Sequence, residues 1–380
     1  MDTGTGQKAA ARMVDVSGSD GTALVRTWAT IGVVFLAFIG WTVFKWVSAP
    51  YFGPTQLAPG VEVPMNFKIG VHAVEIGMGL VWLYLIWTQI IRPIRQTGQP
   101  NTAGLMGIAF FVAIFWDPSM NWIQVGCVYN PYAFNLGFLS AEIPGWMSPR
   151  GEQLPEPLLA WAGGYPGFLL WMTFGGLAVM RFFKARFPTI SNVKLSLLGI
   201  FGAMIVDMVL ESLLIRFSGI YAYPGSIRAL SLWGGHWYQF PLYEAFFFGG
   251  WVGTTSVLLY FKDDKGRTWV ERGIEKIDMC RNSNFRQSIV RLVAIIGFCQ
   301  VIELIVYVLP MPLLTANADP FPDDLPAFFT TGANMCGPNT GLACARPDLP
   351  MMRREDGKFA NAPRYSEEDA AQRRATPPAP

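Results

Sequence analysis

The chain has 380 residues and a formal net charge of +2, and only 15% of its residues are charged, against about 25% in an ordinary soluble domain. Hydrophobic residues make up 52%, with 28 Phe and 14 Trp among them. So few charges cannot cover that much apolar surface in water. An ordinary soluble globule is therefore excluded and lipid is the expected solvent, while basic residues in short clusters between apolar runs give no sign of a nucleic-acid partner.

In chain order, residues 1–26 are polar and rich in Gly, Ser and Thr, without the layout of a signal peptide, and read as a disordered cytoplasmic N-terminus. A membrane-crossing helix needs roughly 20 apolar residues. About seven runs meet that need, at 27–47, 69–91, 103–123, 158–180, 195–217, 239–261 and 289–309. The expected fold class is all-α, a polytopic membrane bundle of about seven transmembrane helices filling residues 27–310. The connection 124–157 is rich in Pro, Gly and aromatic residues and reads as an interfacial lid. Residues 311–380 read as an extracytoplasmic, largely disordered tail. Cys336 and Cys344 lie in that tail on the oxidising side and could pair; none of the five cysteines forms a Cys-x-x-Cys motif.

The cations set an orientation. Arg92 and Arg95 follow the second run, Arg181 to Lys194 the fourth, and Lys262 to Arg286 the sixth, whereas the alternate connections are nearly free of them. This places the N-terminus in the cytoplasm and the C-terminus outside, in the plasma membrane.

Ionisable residues at membrane depth are costly and by default functional. His72 and Glu75 lie in the second run, Asp117 in the third, Asp207 and Glu211 in the fifth, Glu244 in the sixth and Glu303 in the seventh. With the alternating orientation, all of these fall in the outer half of the bilayer. Asp207 with Glu211, His72 with Glu75, and Asp117 with Asn121 share helix faces at three- or four-residue spacing. Arg216, one turn beyond Glu211, is the one cation beside them, and an ion pair with Glu211 is the bland alternative for it. Several carboxyls with so little positive charge cannot all be ionised in a low dielectric, so proton donors stand beside ionised acceptors, as general acid–base chemistry requires. Structural hydrogen bonding between helices is the bland alternative for each acid taken singly. Trp233, Trp237, Tyr238 and Tyr243 cluster near Glu244, either as interface anchors or as faces that stabilise a cation. Two histidines, His72 and His236, are too few for a His-box di-iron site, and no P-loop or dinucleotide fingerprint is present. No metal and no cofactor is expected.

The stretch Tyr221-Ala-Tyr-Pro-Gly, then Ser231-Leu-Trp-Gly-Gly-His-Trp-Tyr-Gln-Phe-Pro-Leu-Tyr-Glu244, resembles the AveC-like spirocyclase family. Tyr260-Phe-Lys-Asp-Asp-Lys-Gly-Arg-Thr-Trp-Val-Glu-Arg-Gly273 and Trp116-Asp-Pro-Ser-Met-Asn121 are similar to it as well, and the resemblance runs to about residue 310. It implies a dehydrative closure of a dihydroxy-ketone to a spiroketal, in polyketide biosynthesis or on another lipophilic small molecule, without a cofactor. It transfers no catalytic residues. From depth and spacing, Glu244 and Glu211 are expected as the acid–base pair, with Asp207, Asp117 and Glu303 supporting charge and position. His72, Glu75, Asn121, Tyr243, Trp237 and Tyr238 are expected around the substrate. Two other functions use the same acids: a membrane cyclase or isomerase acting on a terpenoid or lipid, and a proton-coupled transporter. Membrane lipids are the expected surroundings, and the oligomeric state has no signature in the sequence.

Overall fold

A computed structural model describes residues 21–148, 150–337 and 340. Seven helices account for most of it: α1 Ala23–Val47, α2 Met65–Thr97, α3 Thr102–Asn121, α4 Leu158–Arg186, α5 Asn192–Ser218, α6 Leu242–Tyr260 and α7 Asn284–Thr315. The expected all-α membrane bundle is the architecture found. Apart from α6, these helices are long and apolar enough to cross a membrane. α6 has 19 residues, and Gly, Ser, Thr and Glu244 dilute its apolar content. Its surroundings explain why this is tolerated. It packs on α4 and α5 with most of its residues buried, so little of it meets lipid. α1 is the opposite case, burying only Val25, Gly32, Thr42 and Trp46 and leaving Val33, Val34 and Phe44 exposed on the flank.

Small residues set how closely the central helices approach. A Cβ on Gly249 would lie 2.7 Å from the Met204 Cα, and one on Gly253 the same distance from the Ile200 Cα. α6 therefore rests on the α5 backbone itself. Polar contacts join it to α4: Ser256 donates to the Thr173 carbonyl at 2.9 Å, and the Thr173 and Thr255 hydroxyls are 2.8 Å apart. Two helices depart from α geometry near functional side chains. α3 tightens to a 3₁₀ helix from Ile114, around Pro118, which supplies no backbone donor, and α7 widens to a π-turn over Leu304–Val308.

At the end where α3, α5 and α7 finish, the connections pair with each other. β1 (Val128–Tyr129) runs antiparallel to β2 (Tyr221–Ala222), with Tyr129 opposite Tyr221. β3 (Ser231–Leu232) pairs with β4 (Phe240–Pro241), which leads directly into α6. Gly225 has no room for a side chain, because a Cβ there would sit 2.3 Å from the Val125 carbonyl oxygen. The 124–157 connection, expected as a lid, is packed into this cap, with Tyr129, Phe138, Leu139 and Leu154 buried.

Residues 311–337, expected in the tail, continue against the bundle. α7 runs on to Thr315, Phe321, Phe328 and Phe329 are buried, and the Ala58 amide donates to the Gly332 carbonyl. Cys336 is disulfide-bonded; Cys344 lies outside the described residues, as do the rest of the expected tail from 341 and most of the expected N-terminus.

The opposite end holds a buried ion pair. Arg291 of α7 contacts Glu271 at 2.8 Å with both side chains almost wholly buried. The Thr268 amide and hydroxyl also donate to Glu271, and Arg291 reaches Gln99. The 260–273 stretch that carried part of the family resemblance is thus a structural lock between α2, α3 and α7.

Candidate active site

A cavity of about 40 Å³ lies inside the bundle under the β1–β2 cap. That is space for roughly two or three waters. Three carboxyls reach it from three helices: Asp117 of α3, Glu211 of α5 and Glu244 in the first turn of α6. The acids expected to form the catalytic pair are therefore neighbours in space, 33 residues apart in sequence.

One phenol joins them. The Tyr223 hydroxyl donates to Glu211 Oε2 at 2.8 Å and stands 3.3 Å from Glu244 Oε1. A phenol has one proton, so it cannot donate fully to both. Tyr223 is held over the carboxyls by Gln239, whose amide donates to the carbonyls of Tyr223 and Pro224 at 2.9 and 3.1 Å. The outer oxygen of Glu244 is buried and has no hydrogen-bond partner. Asp117 is placed by two more phenols, Tyr129 at 2.6 Å and Tyr165 at a shorter contact, one on each oxygen.

No cation enters this cluster among the described ion pairs. Arg216, for which an ion pair with Glu211 was one alternative, turns away; its guanidinium lies 4.2 Å from the ring centre of Tyr238 and 5.8 Å from that of Trp233. The reason is steric and electrostatic together. Arg216 occupies an exposed face of α5, where aromatic rings of the β3–β4 loop offer it a partner without entering low dielectric.

The remaining expected residues take other places. Asp207, one turn before Glu211, is fully buried against Gly249, and neither oxygen has a partner. Glu303 accepts from Gln300, which in turn accepts the Trp116 indole N–H at 2.9 Å; this chain ties α7 to α3 beside Asp117 without reaching the cavity wall. Glu75 accepts the Phe134 amide at 2.9 Å and contacts half-exposed His72, so the pair straps the cap to α2. Asn121 accepts the Gly126 and Cys127 amides at 2.8 and 2.7 Å, forming the turn that leads into β1. Trp237 packs on Phe67 and Phe329, and the Tyr243 hydroxyl accepts the Ile227 amide. None of Trp237, Tyr238 and Tyr243 lines the cavity; the aromatic side chains there are Tyr129, Trp161, Tyr165, Phe168, Tyr221, Tyr223, Phe248 and Tyr307.

Several residues of the site escape a reading by membrane depth because they sit on loops. Tyr129, Tyr221 and Tyr223 are one group. Burial, with neighbouring carboxyls, pushes their phenols well above the ordinary tyrosine value, so they stay protonated donors. Glu156 is the other. It is fully buried two residues before α4, beside Asp117, Tyr129 and Trp161, and neither oxygen makes a hydrogen bond of ordinary geometry. Burial first, and Asp117 second, hold its carboxyl well above the usual carboxylate range. Its signal in the sequence is an acid between Pro155 and Pro157, where the chain has few backbone donors to offer it. Among the described residues, no group of three or more His, Cys, Asp and Glu could hold a metal ion.

A family model described as Spirocyclase AveC-like matches residues 101–329. No curated protein and no solved structure matches the chain. The matched residues include Asp117, Glu156, Glu211, Tyr223 and Glu244.

Proposed function

The chain belongs to the AveC-like spirocyclase family, whose cyclase-type function is the premise from which we propose that it closes a lipophilic dihydroxy-ketone to a spiroketal by acid–base catalysis in the membrane. The observation that carries the reading is the Glu211–Tyr223–Glu244 contact in the wall of a cavity without cations.

The chemistry assigns roles. One substrate hydroxyl adds to the ketone and gives a hemiketal. Glu244, with its outer oxygen unpartnered, protonates the hemiketal hydroxyl; the C–O bond breaks and water leaves an oxocarbenium ion. The second hydroxyl attacks this carbon while Glu211 accepts its proton. Tyr223 then passes a proton to Glu244 as it receives one from Glu211, restoring both acids. The net change is loss of one water. Two carboxylates serve an oxocarbenium-like state in glycosidases in the same way. Aromatic faces around the cavity favour the cation, and enclosure fixes which face is attacked.

That the cap and the acids lie at the end remote from the Arg- and Lys-rich loops supports a reading in which that end faces outward, the N-terminus is cytoplasmic and the plasma membrane is the location. A terpenoid or lipid cyclisation would use the same acids, and product analysis separates it from spiroketal formation. The test is gene deletion in the host, restored with wild type or Glu244→Gln, and mass spectrometry of lipid-soluble metabolites. A ketone-diol heavier than the missing product by one water should accumulate in the deletion and the variant. Identical metabolites in all three strains would overturn the reading.

A further inference from the structure

A cavity this small cannot receive a long lipophilic substrate unless a wall opens. The cap is closed by β1–β2 pairing and by the close backbone approach of Gly225 to Val125, but one flank is thin. Between α2, α4 and α5 lies a groove of about 460 Å³, a size typical of ligand sites. Trp171, Leu213 and Phe217 form its rim, exposed by 45%, 48% and 75%. It carries no charged residue, and the hydroxyl of its one serine, Ser218, is already engaged with the Leu214 carbonyl at 2.5 Å. Met78, Phe168 and Leu214 belong to both the groove and the acid cavity. A single layer of side chains separates the two, and one of them is an unbranched, adaptable methionine.

We infer that this groove binds the hydrocarbon chain of the substrate, which enters sideways from the bilayer, parting Met78, Phe168 and Leu214 so that its ketone and hydroxyls reach Glu211 and Glu244. The polarity gradient supports this occupant. A wholly apolar trough ends at a carboxyl- and phenol-lined chamber, matching a molecule with a greasy tail and an oxygenated head. Gly77 gives the groove its depth: a Cβ there would meet nothing within 4 Å.

The substrate class rests on the proposed reaction, so the test reads binding and conversion separately. The full-length protein is placed in nanodiscs with a dihydroxy-ketone bearing a dodecyl chain and a mid-chain diazirine, photolysed, and mapped by peptide mass spectrometry. The label should fall on the groove faces of α2 and α5 and be displaced by the unlabelled compound. It should drop about tenfold in Gly77→Phe, which fills the groove, and be unchanged in Gly40→Phe, an equally unobstructed glycine on α1. Label spread evenly over α1 and α5, or indifferent to Gly77→Phe, would overturn the inference. Equal displacement by phosphatidylcholine would also overturn it, because the groove would then be an annular lipid site. Conversion in the same samples bears on the reaction alone. Groove labelling without turnover keeps the groove and sinks the spirocyclase; turnover with label elsewhere does the reverse.

Discussion

Tyr223 donates to Glu211 across 2.8 Å from a loop to a helix, so the geometry of a membrane-buried acid depends on a residue outside the membrane span. Because the same oxygen approaches Glu244, removing it should uncouple the two acids without emptying the cavity. Tyr223→Phe keeps the ring and should lower kcat by roughly 10²-fold, with a smaller change in KM. Steady-state kinetics on a dihydroxy-ketone would show this; unchanged kcat would remove Tyr223 from the relay.

Glu244→Gln should reduce turnover by about 10²–10⁴-fold while the protein still accumulates and purifies as wild type. The amide fits the same space but cannot deliver the proton. Comparing expression level with conversion in membranes separates loss of chemistry from loss of fold.

Glu156 gives a pH-dependent prediction. Its carboxyl holds a proton in the fold above the usual carboxylate range, whereas in the unfolded chain it ionises near pH 4.3. Above that pH the folded state binds more protons than the unfolded one, so this group lowers stability as pH rises. Glu156→Gln keeps a neutral side chain of the same shape and removes the effect. Its melting temperature should match wild type in acid and exceed it increasingly towards neutral pH. Thermal melts across that range check it, and parallel curves would show that Glu156 does not titrate between the two states.

The α5–α6 contact should be intolerant of a single methyl group. Gly249→Ala directs its Cβ at the Met204 backbone, which cannot swing aside as a side chain would. A loss of about 1–3 kcal/mol is expected, read as a lower unfolding midpoint in detergent. Gly40→Ala, with open space around it, should show no such loss.

At the other end, Arg291→Met leaves Glu271 buried without its partner and should cost about 3–5 kcal/mol. Arg291→Met with Glu271→Gln should recover much of that. A double-mutant cycle on unfolding midpoints measures the recovery, and additive losses would show that the two side chains act independently.

The spans and their acids were legible because a charge in an apolar run stands out whatever the tertiary structure. Asp117, Glu211 and Glu244 line one cavity. Depth is one coordinate, however, and it does not say which way a side chain points around its helix. Asp207 and Glu303, expected at the same depth, do not line the cavity. Tyr223, Tyr129 and Glu156 were illegible for another reason. Loop residues carry no periodicity, and their positions follow from pairing between segments some 90 residues apart. Arg216 shows a third gap, since one turn of separation along the helix from Glu211 was compatible with an ion pair or with stacking on Tyr238. Of the aromatic rings near Glu244 in the sequence, Phe248 lines the cavity, whereas the β3–β4 hairpin carries Trp237 and Tyr238 away and α4 brings Trp161 and Tyr165 in.

Tyr129 and Tyr221 sit opposite each other on a ladder only two residues long. Successive strand residues face opposite sides, so a one-residue slip of β1 would turn Tyr129 out of the chamber and leave Tyr221 without its partner. Loop length is consequently a tighter constraint on this protein than loop chemistry. Exchanging a wall residue alters which molecules fit, whereas inserting one amino acid between Asn121 and Val128 dismantles the chamber. Variants seeking new substrates should therefore substitute and never insert.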